Sequence, residues 1–100
     1  MDVKINQDGC KYEVVLDGRV DTTNADKFQE DITPLMNAET PEIEMDCTGM
    51  QYTSSQGLRI FLSLQKSVIA HKGSLVLRNM DPKVREVFDI TGFSSIIKID

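Results

Sequence analysis

The sequence is short of the residues on which many chemistries depend. It has no tryptophan, one histidine and two cysteines. No apolar run approaches the roughly 20 residues that span a bilayer, so membrane insertion is not expected. The opening stretch, MDVKINQDG, has no apolar core and does not read as a secretory signal. Cys10 and Cys47 make neither a CxxC pair nor a disulfide framework. Reduced thiols in a cytoplasmic protein are the simpler expectation, and whether the two lie close in the fold is left open. The lone His71 falls near the end of a helical pattern, where a cation suits the negative end of the helix dipole. It lies a whole helix away from Ser54 and Ser55, and GxSxG is missing, so a serine hydrolase is not expected. TSSQG is neither GxxxxGK nor GxGxxG, so no phosphate loop is present. No His/Cys pattern supports a metal site. Positive charge is scarce too. With 11 Lys and Arg against 16 Asp and Glu, the net charge is −5. Nucleic-acid backbones are therefore poor partners, and the few aromatics give no platform for stacked bases. With none of these motifs present, no enzyme and no cofactor is expected.

What is present describes one compact domain. The chain has 100 residues, 40% apolar and 27% charged, enough for a single core. Val3 and Ile5 alternate with polar residues as in a half-buried strand. Asp8-Gly9 signals a tight hairpin, Lys11–Leu16 returns, and Asp17-Gly18 closes that strand. Arg19–Asn24 is a cluster of polar side chains suited to capping a helix. Phe28, Ile32, Leu35 and Met36 recur at helical spacing, with Pro34 expected to kink or loosen the last turn. Ile43, Met45 and Cys47 alternate with Glu42, Glu44 and Asp46, whose carboxylates should face water. From Gln56 onward, Leu58, Phe61, Leu62, Gln65, Val68 and Ile69 form a second apolar helix face, ended by Gly73. Leu75–Leu77 reads as a strand covered on both faces. Asp81-Pro82 starts a third helix that buries Val84, Val87 and Phe88 and stops at Gly92, and Ile96–Ile99 is the last strand. The order β-β-α-β-α-β-α-β predicts an α/β fold. Its mixed sheet has an N-terminal hairpin, then largely parallel strands, with helices packed against it.

One stretch, DCTGMQYTSSQGLR over 46–59, stands out. It places Ser54 and Ser55 where a strand hands over to a helix. A single serine suffices as an N-cap, worth about 1 kcal/mol. The second, beside the small Gly57, is expected to be exposed. A phosphoryl group there would bring about −1.5 to −2 charges to the positive end of a helix. Spacing alone does not choose between cap and switch.

The chain resembles the STAS-domain anti-sigma factor antagonist family over nearly its whole length. Leu16-Asp-Gly-Arg-Val-Asp-Thr-Thr-Asn-Ala25 is similar to the family's strand-to-helix turn. Asp46–Leu58 is similar to its D-x-S/T, aromatic, D/S-S-S/T/A-G-L pattern. Asn79–Phe93 is similar to its third helix and TG-Leu/Phe turn. The resemblance implies a phosphorylation-controlled binding switch. The unmodified protein would capture an anti-sigma factor with a serine-kinase, histidine-kinase-like ATPase fold, and so free a sigma factor. The kinase would modify a serine, and a metal-dependent serine phosphatase would reset it. Counted back from Gly57, the modified residue is Ser55. Ser54 stands where an acidic residue often precedes it, and Gln56 where a hydroxyl often follows. Asp21 matches the turn aspartate near the kinase surface. Partner contacts are expected from Asp21, Thr22, Thr23, Asn24, Ser54, Gln56, Gly57, Arg59, Ser63 and Lys66. The family's C-terminal helix is expected to be missing or very short, because the chain stops at Asp100. Two other readings of a STAS module are a scaffold subunit that is never phosphorylated and a nucleotide-binding domain using the same helix N-terminus.

Overall fold

The computed structural model describes residues 1–100. Strand β1 (Asp2–Asp8) pairs antiparallel with β2 (Lys11–Val20), register Asp8↔Lys11 to Asp2↔Asp17. Gly9 in the connection has φ +61°, a region where glycine meets no steric penalty. Helix α1 (Ala25–Met36) leads to β3 (Glu42–Thr53), helix α2 (Ser55–Ala70) to β4 (Ser74–Arg78), and helix α3 (Pro82–Ile90) to β5 (Lys98–Ile99). The sheet order is β1-β2-β3-β4-β5, and every pairing after the hairpin is parallel. The expected mixed α/β architecture is therefore present.

Burial alternates along the central strands. Val14 and Leu16 in β2, Ile43, Met45 and Cys47 in β3, and Leu75 and Leu77 in β4 are buried against Phe28, Phe61 and Phe88 from the three helices. Phe61 sits between the other two rings, at centroid distances of 5.3 and 5.6 Å. The opposite sheet face carries Lys11, Glu13, Val15, Glu42, Glu44, Ser74 and Arg78, all exposed. The helices thus cover one face only, and β4 is not covered on both sides: Val76 is half-buried on the open face.

Several boundaries differ from expectation. β2 does not close at Asp17-Gly18 but runs on to Val20. Register shifts between Val15 and Asp17 and between Gly18 and Arg19 absorb the irregularity, with Gly18 at φ +111°. β3 likewise continues to Thr53, well past Cys47. Pro34 lies inside α1, which is helical to Met36. In α2, Ile69 is 61% exposed rather than part of the buried face. Residues Phe93–Ser95 form a short 3-10 turn, so the last strand contains only Lys98 and Ile99. Asp81 caps α3 as expected, accepting from the Lys83 N–H at 2.8 Å with Pro82 in the first turn.

Candidate functional site at the start of helix α2

The two long strands carry the site to one edge of the molecule. Val20 pairs with Thr53 at the end of the β2–β3 ladder, and the Ser54 N–H donates to the Val20 carbonyl at 2.9 Å. The turn after β2 and the junction after β3 therefore lie side by side at the carboxyl ends of parallel strands. Open α/β sheets commonly place binding sites there.

The two serines do different things. Ser54 is the N-cap, with extended backbone, and its Oγ accepts from the Gly57 N–H at 3.2 Å. It is only 8% exposed. Ser55 begins the helix proper and is exposed, together with Gln56. Gly57, expected among the partner contacts, is buried. A Cβ there would lie 2.3 Å from Thr53 Oγ1 and 2.9 Å from Val20 Cγ1. The glycine is what lets the first turn of α2 seat directly on the strand ends. Ser54 and Gly57 thus lie beneath the surface that Ser55 and Gln56 present.

The neighbouring turn is organised by its own side chains, not as a cap for α1. Asn24 flanks the helix but makes no side-chain cap bond. Its Oδ1 accepts from the Asp21 N–H and its Nδ2 donates to the Arg19 carbonyl, both at 2.8 Å. Asp21 Oδ1 accepts from the Thr23 hydroxyl and from the Thr23 N–H. These two bonds, the hydroxyl first, hold the Asp21 carboxyl below its ordinary pKa, helped by the charge of Arg19. Thr22 and Thr23 are exposed, and Asp21 and Asn24 half-buried. Arg59, Ser63 and Lys66 are also exposed, at helical spacing from Ser55.

Two residues here escaped the sequence reading. Arg19 Nε lies 3.4 Å from Asp21 Oδ2, and its guanidinium stands 5.0 Å from the centre of the Tyr52 ring. Their register pairing, Arg19↔Tyr52, brings them together. That pairing exists only because β2 runs past Asp17-Gly18, where the local turn signal predicts an end.

Other sites proposed or excluded from sequence have clear positions. Cys10 is exposed and Cys47 buried, both as free thiols. Burial pushes the Cys47 thiol up to about 12. His71 is exposed, its Nδ1 2.7 Å from the Ser67 carbonyl. No group of His, Cys, Asp and Glu is arranged to hold a metal ion. No helix is long and apolar enough to cross a membrane. A depression of about 290 Å³, lined by residues such as Tyr12, Glu42 and Val76, lies on the open sheet face, away from Ser55.

Comparison with known proteins places this geometry in a family. The family model described as STAS domain matches residues 2–100. BtrV of Bordetella bronchiseptica is 34% identical over 84 residues, covering 84% of this chain and 72% of BtrV. The anti-sigma-B factor antagonist of Bacillus subtilis is 30% identical over 99 residues, covering 99% of this chain and 88% of that protein. Among solved structures, the anti-sigma factor antagonist SpoIIAA in its unphosphorylated form superposes with a TM-score of 0.80 at 20% identity, over 99% of this chain and 88% of SpoIIAA. The phosphorylated form of SpoIIAA, a Bacillus cell fate determinant, gives 0.73 at 19% identity, over 99% and 91% of the two chains. By the family model and by these relatives, the chain belongs to the STAS domain family.

Proposed function

We propose that the protein is an anti-sigma factor antagonist, a non-enzymatic binding module switched by phosphorylation of Ser55. In the unmodified state it binds an anti-sigma factor with a serine-kinase fold and thereby frees a sigma factor. Modification of Ser55 by that kinase ends the complex, and a serine phosphatase restores it. Relatives named as antagonists support the role. The observation that carries the site is the division of labour at α2: Ser54 is consumed by the cap, while Ser55 stands exposed one residue later.

A phosphate on Ser55 adds a dianion at the edge of the proposed binding surface. It must be desolvated against a partner shaped for a neutral hydroxyl. A hundredfold loss of affinity needs only about 2.7 kcal/mol, within the range of one misplaced charge. The helix itself tolerates the modification, because its first turn favours an anion. Arg59, one turn along and without an ion pair, would pair with that phosphate. If Arg59→Ala leaves the phosphoserine pKa and the stability of the modified protein unchanged, that pairing is wrong.

The direct test of the site is phosphopeptide mapping of the protein isolated from its own cells in conditions that silence the sigma factor. Phosphate is expected on Ser55 and absent from Ser54. Phosphate on Ser54, or on neither serine, contradicts the assignment.

A further inference from the structure

The charges of this protein are segregated along the chain. No Asp or Glu occurs between Asp46 and Asp81, so all 16 carboxylates lie outside that stretch. The stretch still carries Arg59, Lys66, Lys72 and Arg78. Helix α2 is its centre: 16 residues, two cations and no acid, in a chain of net charge −5. Both cations are on the solvent side of the helix, in the stripe Ser55, Arg59, Ser63, Lys66.

These cations are also unspent. The ion pairs of the protein engage Arg19, Lys27, Arg78 and Arg85, and neither Arg59 nor Lys66 meets a carboxylate. Arg78, the other cation of note in the stretch, is used on the open sheet face by Glu44 and Asp100. Helix α1, packed beside α2, has the opposite character, with Asp26, Glu30 and Asp31 against Lys27.

We infer that the α2 stripe docks a protein surface bearing carboxylates, opposed to Arg59 and Lys66. The inference rests on the antagonist reading and adds the chemistry of the partner. The occupant follows from charge complementarity: the overall charge of the chain favours basic partners, whereas this helix selects acidic ones locally. It also gives the Ser55 switch a second lever. A phosphoserine contributes about −1.5 to −2 charges at one end of a stripe whose attraction comes from two cations. Modification would then cancel the complementarity as well as obstruct the contact.

The test uses the partner protein retained by a Ser55→Ala bait, purified and titrated against the full-length protein at several salt concentrations. Arg59→Gln combined with Lys66→Gln should weaken binding by about tenfold at low salt, and the difference should shrink as salt screens the charges. Glu13→Gln on the open sheet face should leave the affinity unchanged. If the double variant binds as wild type or more tightly, while Ser55→Asp still abolishes binding, the acidic-partner inference is overturned and the antagonist reading stands. If Ser55→Asp binds as well as Ser55→Ala, or no partner is retained, the antagonist reading falls and takes the inference with it.

Discussion

At the scale of single residues, neighbouring positions in this protein have sharply different roles. Ser54 and Ser55 share a side chain, yet one is buried in a cap and the other faces solvent. Ser54→Ala is expected to lower stability by about 1 kcal/mol in chemical denaturation, and Ser55→Ala by no more than about 0.5 kcal/mol. Equal effects would mean that the cap is shared. The two cysteines divide in the same way. A thiol reagent at neutral pH should modify Cys10 alone in the native protein and both thiols after denaturation, since Cys47 is buried with its pKa raised to about 12. Two carboxylates, Asp21 in the turn before α1 and Asp46 in β3, contribute to the behaviour in acid. Asp21 is held below its ordinary pKa by the hydroxyl and then the N–H of Thr23, and Asp46 in the same way by Thr48. A carboxyl whose folded pKa is depressed stabilises the fold above its unfolded pKa, about 3.9, and that contribution is lost as pH falls through the folded value. Unfolding followed between pH 6 and 2 should therefore steepen below about pH 4. Asp21→Asn together with Asp46→Asn should flatten the profile there and leave its shape near neutrality unchanged.

At the scale of elements, the seating of α2 decides the site. Its first turn rests on Val20 and Thr53 with no room for a side chain at position 57. Gly57→Ala should cost about 1–3 kcal/mol and broaden the amide signals of residues 53–58, because either the helix or the strand ends must shift. A variant as stable as wild type would show that the junction is looser than its geometry. The same element shows what could be read in advance. The helical period of Leu58, Phe61 and Val68 and the Asp81-Pro82 start were legible because local chemistry and tertiary packing agree there. The extension of β2 was not, because Asp17-Gly18 carries a strong local turn signal that parallel pairing with β3 overrides through two bulges. Missing that extension hid Arg19 and Tyr52, whose proximity exists only in the sheet register. The exposure of Ile69 was hidden for a related reason. It shares the apolar period of α2, but its side chain lies beyond the cover of its neighbours.

At the scale of the whole molecule, the sheet is dressed on one side only, and the two sides have different electrostatic character. The open face carries Glu13, Glu42 and Glu44, with Arg78 drawn to Glu44 and Asp100. The exposed stripe of α2 is free of acids and ends at the one serine hydroxyl left available by the cap. The strand ends bring the Asp21–Asn24 turn to the same place, so one small surface combines a hydrogen-bonded turn, the α2 stripe and the exposed Ser55. The sequence showed the fold class and the position of the serines. It did not show that Ser54 and Gly57 are buried supports, since that depends on how closely α2 approaches Val20.

The most direct test of the account is a capture comparison from native lysate with wild type, Ser55→Ala and Ser55→Asp as baits. Retained proteins would be identified by mass spectrometry. The account predicts that Ser55→Ala retains an anti-sigma factor with a serine-kinase fold and that Ser55→Asp loses it. Retention of the same partners by all three baits would contradict the account and leave Ser55 as an ordinary first-turn residue.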